Sequence, residues 1–299
     1  MAARAVAAAP ASLLRGVGLG GSWQRVVMLA PAIIILVAFL VAGIFADLVS
    51  AYDPEQIVLI ERLIPPAFQE GGSWAHPLGT DNLGRDILSR VMYGARVSLL
   101  VVVTCIPASA LIGTLCGLLA GWRLGWWDRF LMRIVDVQLA LPAILFALLI
   151  SVVFGASLLN VILIIIIFSW SGYARLVRAD VLSLREQEFV VAARASGASD
   201  RRILFRHVLP NLLNTIVIMA TLDVPSVILI EAALSFLSIG VAPGTPSWGA
   251  MISEGRNFMT IAWWPIWMPG IAILLVSLTG NLMGDWLRDT LDPRLRNIR

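Results

Sequence analysis

The sequence predicts an all-α integral membrane protein with six transmembrane helices. Of its 299 residues 59% are hydrophobic, the mean hydropathy is +0.87, and the apolar residues gather into runs of roughly twenty, the length a helix needs to cross a bilayer core. The charges between those runs also alternate in sign, as loops on opposite sides of a membrane require.

The first run, about Val26 to Ala46, follows a polar lead of 25 residues and is long, which suits a retained anchor better than a removable signal peptide. The others are Ser98 to Gly121, Val137 to Gly155, the short Leu158 to Trp170, Leu212 to Gly240 and Ile261 to Leu287. Arg4, Arg15 and Arg25 precede the first span without an acid, whereas seven acids face three arginines between Asp47 and Arg90. Positive charge favours the cytoplasmic side, so the N-terminus is expected inside and the first loop outside. Counting onward places Arg123 to Asp136 inside, then Gly172 to Asn211 with seven arginines against four acids, and finally the tail with Arg288, Arg294, Arg296 and Arg299. The expected organisation is a cytoplasmic segment 1–25, a first helix 26–46, an external loop 47–93 with an interfacial helix, a five-helix core 94–287 that includes the cytoplasmic loop 172–211, and a tail 288–299. Trp122, Trp126 and Trp127 at one side, and Trp263, Trp264 and Trp267 at the other, suit interfacial belts. There is no internal repeat and no soluble domain.

Composition excludes several chemistries. All 22 basic residues are arginine, so there is no P-loop, Schiff-base or Ser-Lys lysine, and any ATP hydrolysis belongs to another subunit. Cys105 and Cys116 are 11 apart in one apolar run, too far along a helix for a disulfide. His76 and His207 are the only histidines, and no cluster has metal-ligand spacing. The net charge of +3 follows membrane sidedness and implies no nucleic-acid surface.

The loop after the fourth span has unusual local order. A helix is expected from about Leu184 to Ser196, stopped by Gly197 in a left-handed cap. A second opens with Ser199 as N-cap and Asp200 in its first turn, and should end before Pro210. Ile203, Leu204, His207 and Val208 make one face, Arg202 and Arg206 another. The small surface of Ala192, Ala193, Ala195 and Ser196 permits close approach. Physics alone leaves open a basic amphipathic helix lying on anionic headgroups.

This segment resembles the EAA loop of ABC importer permeases: Glu-Ala-Ala, three residues, Gly, nine residues, Ile, one residue, Leu-Pro. Ala192, Ala193, Gly197, Leu209 and Pro210 match, Val191 and His207 depart, and Glu188 supplies a nearby acid. The block His76 to Asp81 with Gly84 to Arg90 and Tyr93 to Arg96 is similar to the signature of the second, C-type subunit of dipeptide and oligopeptide permeases. Its local physics is a Pro-Gly turn, a Thr80 or Asp81 cap, Leu83, Ile87 and Val91 on one helix side, and an Asp86–Arg90 pair. Glu231 to Leu237, Pro243, Thr245 to Gly249, Gly284-Asp285 and Leu291 to Arg294 extend the likeness.

The resemblance implies the type I importer permease fold, with both termini cytoplasmic, in the plasma membrane of a bacterium. It implies a loop (Glu188, Ala192, Ala193, Gly197, Ser199, Asp200, Ile203, Leu204, Val208, Leu209, Pro210) that docks on an ATPase, with the apolar face of Ile203, Leu204 and Val208 entering the ATPase cleft. ATP and magnesium would bind the two ATPase subunits, and this chain would hold no cofactor. A second permease chain, an external peptide-binding protein and membrane lipid complete the partners. Relatives carry dipeptides, longer peptides, nickel chelates or glutathione. Ionisable residues within a span are costly and face a cavity or a partner. Asp223, where the resemblance leads one to expect an uncharged residue, is a candidate for the translocation path or for bonding backbone freed near Pro225, which should bend the span. Glu231 is expected to be structural or gate-lining near the external end. Two rival readings are a proton-coupled transporter relayed by Asp223 or Glu231 and a membrane scaffold.

Overall fold

The computed structural model describes the backbone of residues 21–291 and side chains of residues 29–291. The expected segment 1–25 therefore lies largely outside the described residues, as do Arg294, Arg296 and Arg299. Within them the chain forms helices α1 (Gly21–Ile44), α2 (Ala46–Val49), α3 (Ile87–Arg123), α4 (Gly125–Ala140), α5 (Ala143–Phe154), α6 (Leu158–Leu184), α7 (Glu188–Ala195), α8 (Asp200–Ile203), α9 (Leu209–Phe236), α10 (Trp248–Gly255) and α11 (Trp264–Leu291).

Among the described residues, four helices are long and apolar enough to cross a membrane: α3, α6, the continuous rod Asp200–Phe236, and α11. In α1 the apolar stretch Leu29–Ile44 is shorter. The expected third span, Val137 to Gly155, is instead a pair: α4 and α5 meet at 83°. Pro142, which lacks an N–H and disfavours helix in Leu141, makes the break. α4 sets two acids against α6 and leaves large apolar side chains uncovered: Asp128 and Asp136 reach Arg178 and Arg175 of α6, both at 2.7–2.8 Å, while Trp126, Trp127, Phe130 and Ile134 are exposed. Those ion pairs also explain why the short fourth span becomes a 27-residue helix. Its arginines looked like the start of a loop, but they are neutralised by α4 and the helix runs on to Leu184.

Close approach of α3 and α6 forms the centre of the fold. Gly113, Gly117 and Gly121 recur every fourth residue, placing them on one side of α3. A Cβ on them would lie 2.4 Å from the Trp170 carbonyl oxygen, 2.7 Å from that of Ala174 and 2.8 Å from Val181 Cβ, respectively. Small residues at this spacing let two helix backbones meet in lipid. Pro225 of α9 is buried against Gly280 of α11, and Leu222 against Gly284.

At the end of the molecule away from the Arg-rich loop, the expected interfacial helix is absent. α3 itself begins at Ile87, capped by Asp86, whose side chain accepts from the Ser89 N–H at 2.7 Å. Neither Thr80 nor Asp81 is the cap. Asp81 accepts from Arg85 at 2.7 Å and from Arg90, and both arginines reach Glu254 of α10, at 2.6 and 2.9 Å. Arg90 therefore pairs across the fold, not with Asp86. His76 bridges Asp86 at 3.0 Å and Glu61 at 3.3 Å. The unexpected α10 packs within this cap, where Trp248 Nε1 donates to the Val91 carbonyl at 2.9 Å. Trp264 likewise donates to Thr80 and is buried, as is Trp122. Two of the six tryptophans assigned to interfacial belts are thus packing residues, while Trp126, Trp127 and Trp267 are exposed.

Candidate functional site

The Arg-rich loop is a turn held against the permease body. α7 ends in a two-bond cap: the Gly197 N–H donates to Arg194 O at 3.0 Å and the Ala198 N–H to Ala193 O at 3.1 Å. This geometry requires a left-handed residue, and Gly197 has φ +81° with open space where a Cβ would stand. Ser199 then occupies the N-cap position of α8, although its side chain makes no capping bond. The chain does not stop at Pro210. Residues Leu204–Val208 form a π-helical turn that leads directly into α9. Such a turn offers i→i+5 bonding in place of the N–H that proline lacks, so Asp200–Phe236 is one rod of 37 residues.

Burial reverses the expected role of the loop's apolar face. Ile203 and Val208 are fully enclosed, packing with Val190 against Leu118, Trp122, Val177 and Val181. Leu204 and Leu209 are partly buried against the same cluster. This face therefore anchors the loop to α3 and α6, and it is not free to enter a partner. Arg194 strengthens the anchor by lying over the Trp122 ring, 5.2 Å from its centroid. What remains outside is Phe189, Val191, Ala192 and Phe205, with Glu188, Asp200, Arg201, Arg202 and Arg206 around them; Ala193 is partly covered, and Pro210 is exposed. Phe189, Val191 and Phe205 are 42%, 52% and 64% exposed. The sequence period could not find this face, because both sides of the loop carry apolar residues.

The two acids of α9 separate. Glu231 is enclosed within its own chain, accepting from Ser235 at 2.8 Å and Ser98 at 3.4 Å, and it faces no open path. Asp223 borders a cavity of about 550 Å³ at the loop end of α9 and α11, together with Asn214, Thr215, Met219 and Arg288. Among the described residues, no group of three His, Cys, Asp or Glu side chains is placed to hold a metal.

Residues 113–297 match the family model of the binding-protein-dependent transport system inner membrane component. The chain belongs to that family. This permease is 44% identical over 255 residues to the di/tripeptide transport system permease protein of Pseudomonas aeruginosa, covering 85% of this chain and 84% of that one. It is 44% identical over 274 residues to the glutathione transport system permease protein of Escherichia coli, covering 92% and 89%. The dipeptide transport system permease protein of Alkalihalophilus pseudofirmus is 42% identical, with coverages of 89% and 85%. Among solved structures, an inward-facing form of a methionine ABC transporter superposes with a TM-score of 0.57 at 18% identity, covering 69% of this chain and 98% of that one; this likeness shows the fold.

The permease is accordingly a multi-pass transport component of the bacterial inner membrane. ATP hydrolysis lies in separate subunits, as the lysine-free composition anticipates. Nothing among the relatives supports the proton-coupled alternative.

Proposed function

We propose that this permease is one half of a heterodimeric channel importing short peptides, with an external binding protein above and two ATPase subunits below. The cargo reading rests on the relatives that transport di- and tripeptides; the coupling reading rests on one structural observation. The exposed patch of Phe189, Val191, Ala192 and Phe205 sits on a loop clamped from behind; Phe205 stands on the rod Asp200–Phe236 itself, and the other three stand on α7, whose Val190 packs against Ile203 and Val208 of that rod. A partner that grips the patch would move α9 as a lever, since a stiff helix passes on displacement. ATPase closure would then open the path outward, and separation would open it inward.

The test is ATP hydrolysis and dialanine uptake by the complex reconstituted in liposomes, with and without loaded binding protein. Coupled stimulation of both is expected. Hydrolysis unaffected by the binding protein, with no uptake, would overturn the proposal. Glutathione is the second cargo to try, given the 44% identity to a glutathione permease; competition between the two cargoes separates them.

A further inference from the structure

We infer that the cavity between α9 and α11 is a transit site for a zwitterionic short peptide, with Asp223 receiving its ammonium group and Arg288 its carboxylate. This rests on the peptide-import reading and adds a place and a chemistry to it. The cavity, about 550 Å³, falls within the size range of small-ligand sites, and like them it is mostly apolar with a few convergent polar groups.

Its two charges are of opposite sign. Among the described residues, neither Asp223 nor Arg288 has an oppositely charged group within ion-pair distance, Asp285 and Asp289 on Arg288's own helix included. The register of the two helices sets the separation. Pro225 meets Gly280 and Leu222 meets Gly284, so α9 and α11 are antiparallel. Asp223 lies close to the level of Gly284, and Arg288 lies one turn further toward the loop end. Four residues of helix rise about 6 Å. An extended dipeptide spans at most about 7 Å, so its two ends match the two charges.

A second observation points into the same place. Tyr173 of α6 is completely buried with its hydroxyl beside the Asp223 carboxylate, although no hydrogen bond of ordinary geometry joins the two. A buried polar group left unpaired is costly; a small shift that lets Tyr173 donate to Asp223 satisfies the hydroxyl and fixes the carboxylate, whose remaining lone pairs stay available to an ammonium group. Asn214 and Thr215, more than two turns nearer the loop than Asp223, add side-chain donors and acceptors at the loop end of the same cavity.

The experiment uses the assembled permease–ATPase complex in detergent, without nucleotide or binding protein. Met219→Cys is placed at the cavity wall, and its rate of maleimide labelling is measured against the unsubstituted chain, which gives the background from Cys105 and Cys116. Dialanine should slow labelling at least threefold, while N-acetyl-dialanine and dialanine amide should protect less. Asp223→Asn should erase the preference for dialanine over its acetylated form, Asp223→Glu should keep it, and Arg288→Gln should erase the preference over the amide. Equal protection by all three compounds, absence of protection, or preferences unchanged in the variants would overturn the site. Dialanine uptake by the reconstituted complex runs in parallel. Uptake with no protection defeats the cavity alone, whereas absence of uptake defeats the peptide reading with it.

Discussion

At the scale of single residues, the acids of this chain differ by what surrounds them. Glu231 is enclosed and shared between Ser235 and Ser98, so its removal strands both hydroxyls and leaves a void. Glu231→Ala is expected to destabilise the fold by about 2–4 kcal/mol from the combined bond and packing loss, while Glu231→Gln, which keeps the shape and one acceptor, should cost less. Thermal unfolding of the purified complex in detergent measures both, and equal midpoints for the two variants would refute the assignment. Asp47 is the opposite case, an exposed carboxylate tying α2 to α3. Arg96, bonded at 2.8 Å, and then the Tyr93 hydroxyl hold its pKa below the usual 3.8. With a folded pKa lowered from its unfolded value, the contribution is complete above about pH 4 and is lost as pH falls through the lowered value. Asp47→Asn should therefore lower the thermal midpoint slightly at about pH 6, and the gap from wild type should close below about pH 3. A gap that widens on acidification would contradict the sign.

At the scale of elements, two devices explain how helices are joined. The glycine stripe of α3 permits contact with the backbone of α6, so Gly117→Leu, facing the Ala174 carbonyl and Val177, has no room. It should reduce the yield of assembled permease severely, and Gly117→Ala partially; normal yield of a monodisperse Gly117→Leu complex would disprove the close packing. The Gly197 turn is the second device. Proline there removes the N–H that bonds Arg194 O and cannot reach positive φ. Because no side chain lies within 4 Å of the site and Ile203 and Val208 hold the loop from behind, the body should fold. The exposed patch would be misplaced, and Gly197→Pro is expected to bind ATPase poorly or to hydrolyse ATP with at least tenfold less uptake per ATP. Uptake stimulated normally by the binding protein would remove this turn from the coupling route.

At the scale of the molecule, the Arg-rich loop and the ion network of His76, Asp81, Arg85 and Arg90 stand at opposite ends of the helices. A cysteine at position 199, on the exposed loop, should react with a membrane-impermeant maleimide only after cells are opened, and one at the exposed Trp74 should react in intact cells. Labelling of Ser199→Cys from outside would reverse the topology. Apolar runs and arginine counts are local properties, so the sequence by itself determined that the chain is a helical membrane protein and that a helix-breaking glycine divides the Arg-rich loop. The motif resemblance led to the family. Pairing across space is not local. Only the tertiary structure decided that the third apolar run bends at Pro142, that α6 runs on because α4 neutralises its arginines, that Arg90 meets Glu254, and that Ile203 and Val208 face inward while Phe189 and Phe205 face out. Each depends on which group from a distant segment lies opposite, and in lipid, where water cannot satisfy a stray polar group, that partner sets both the length of a helix and the side it presents.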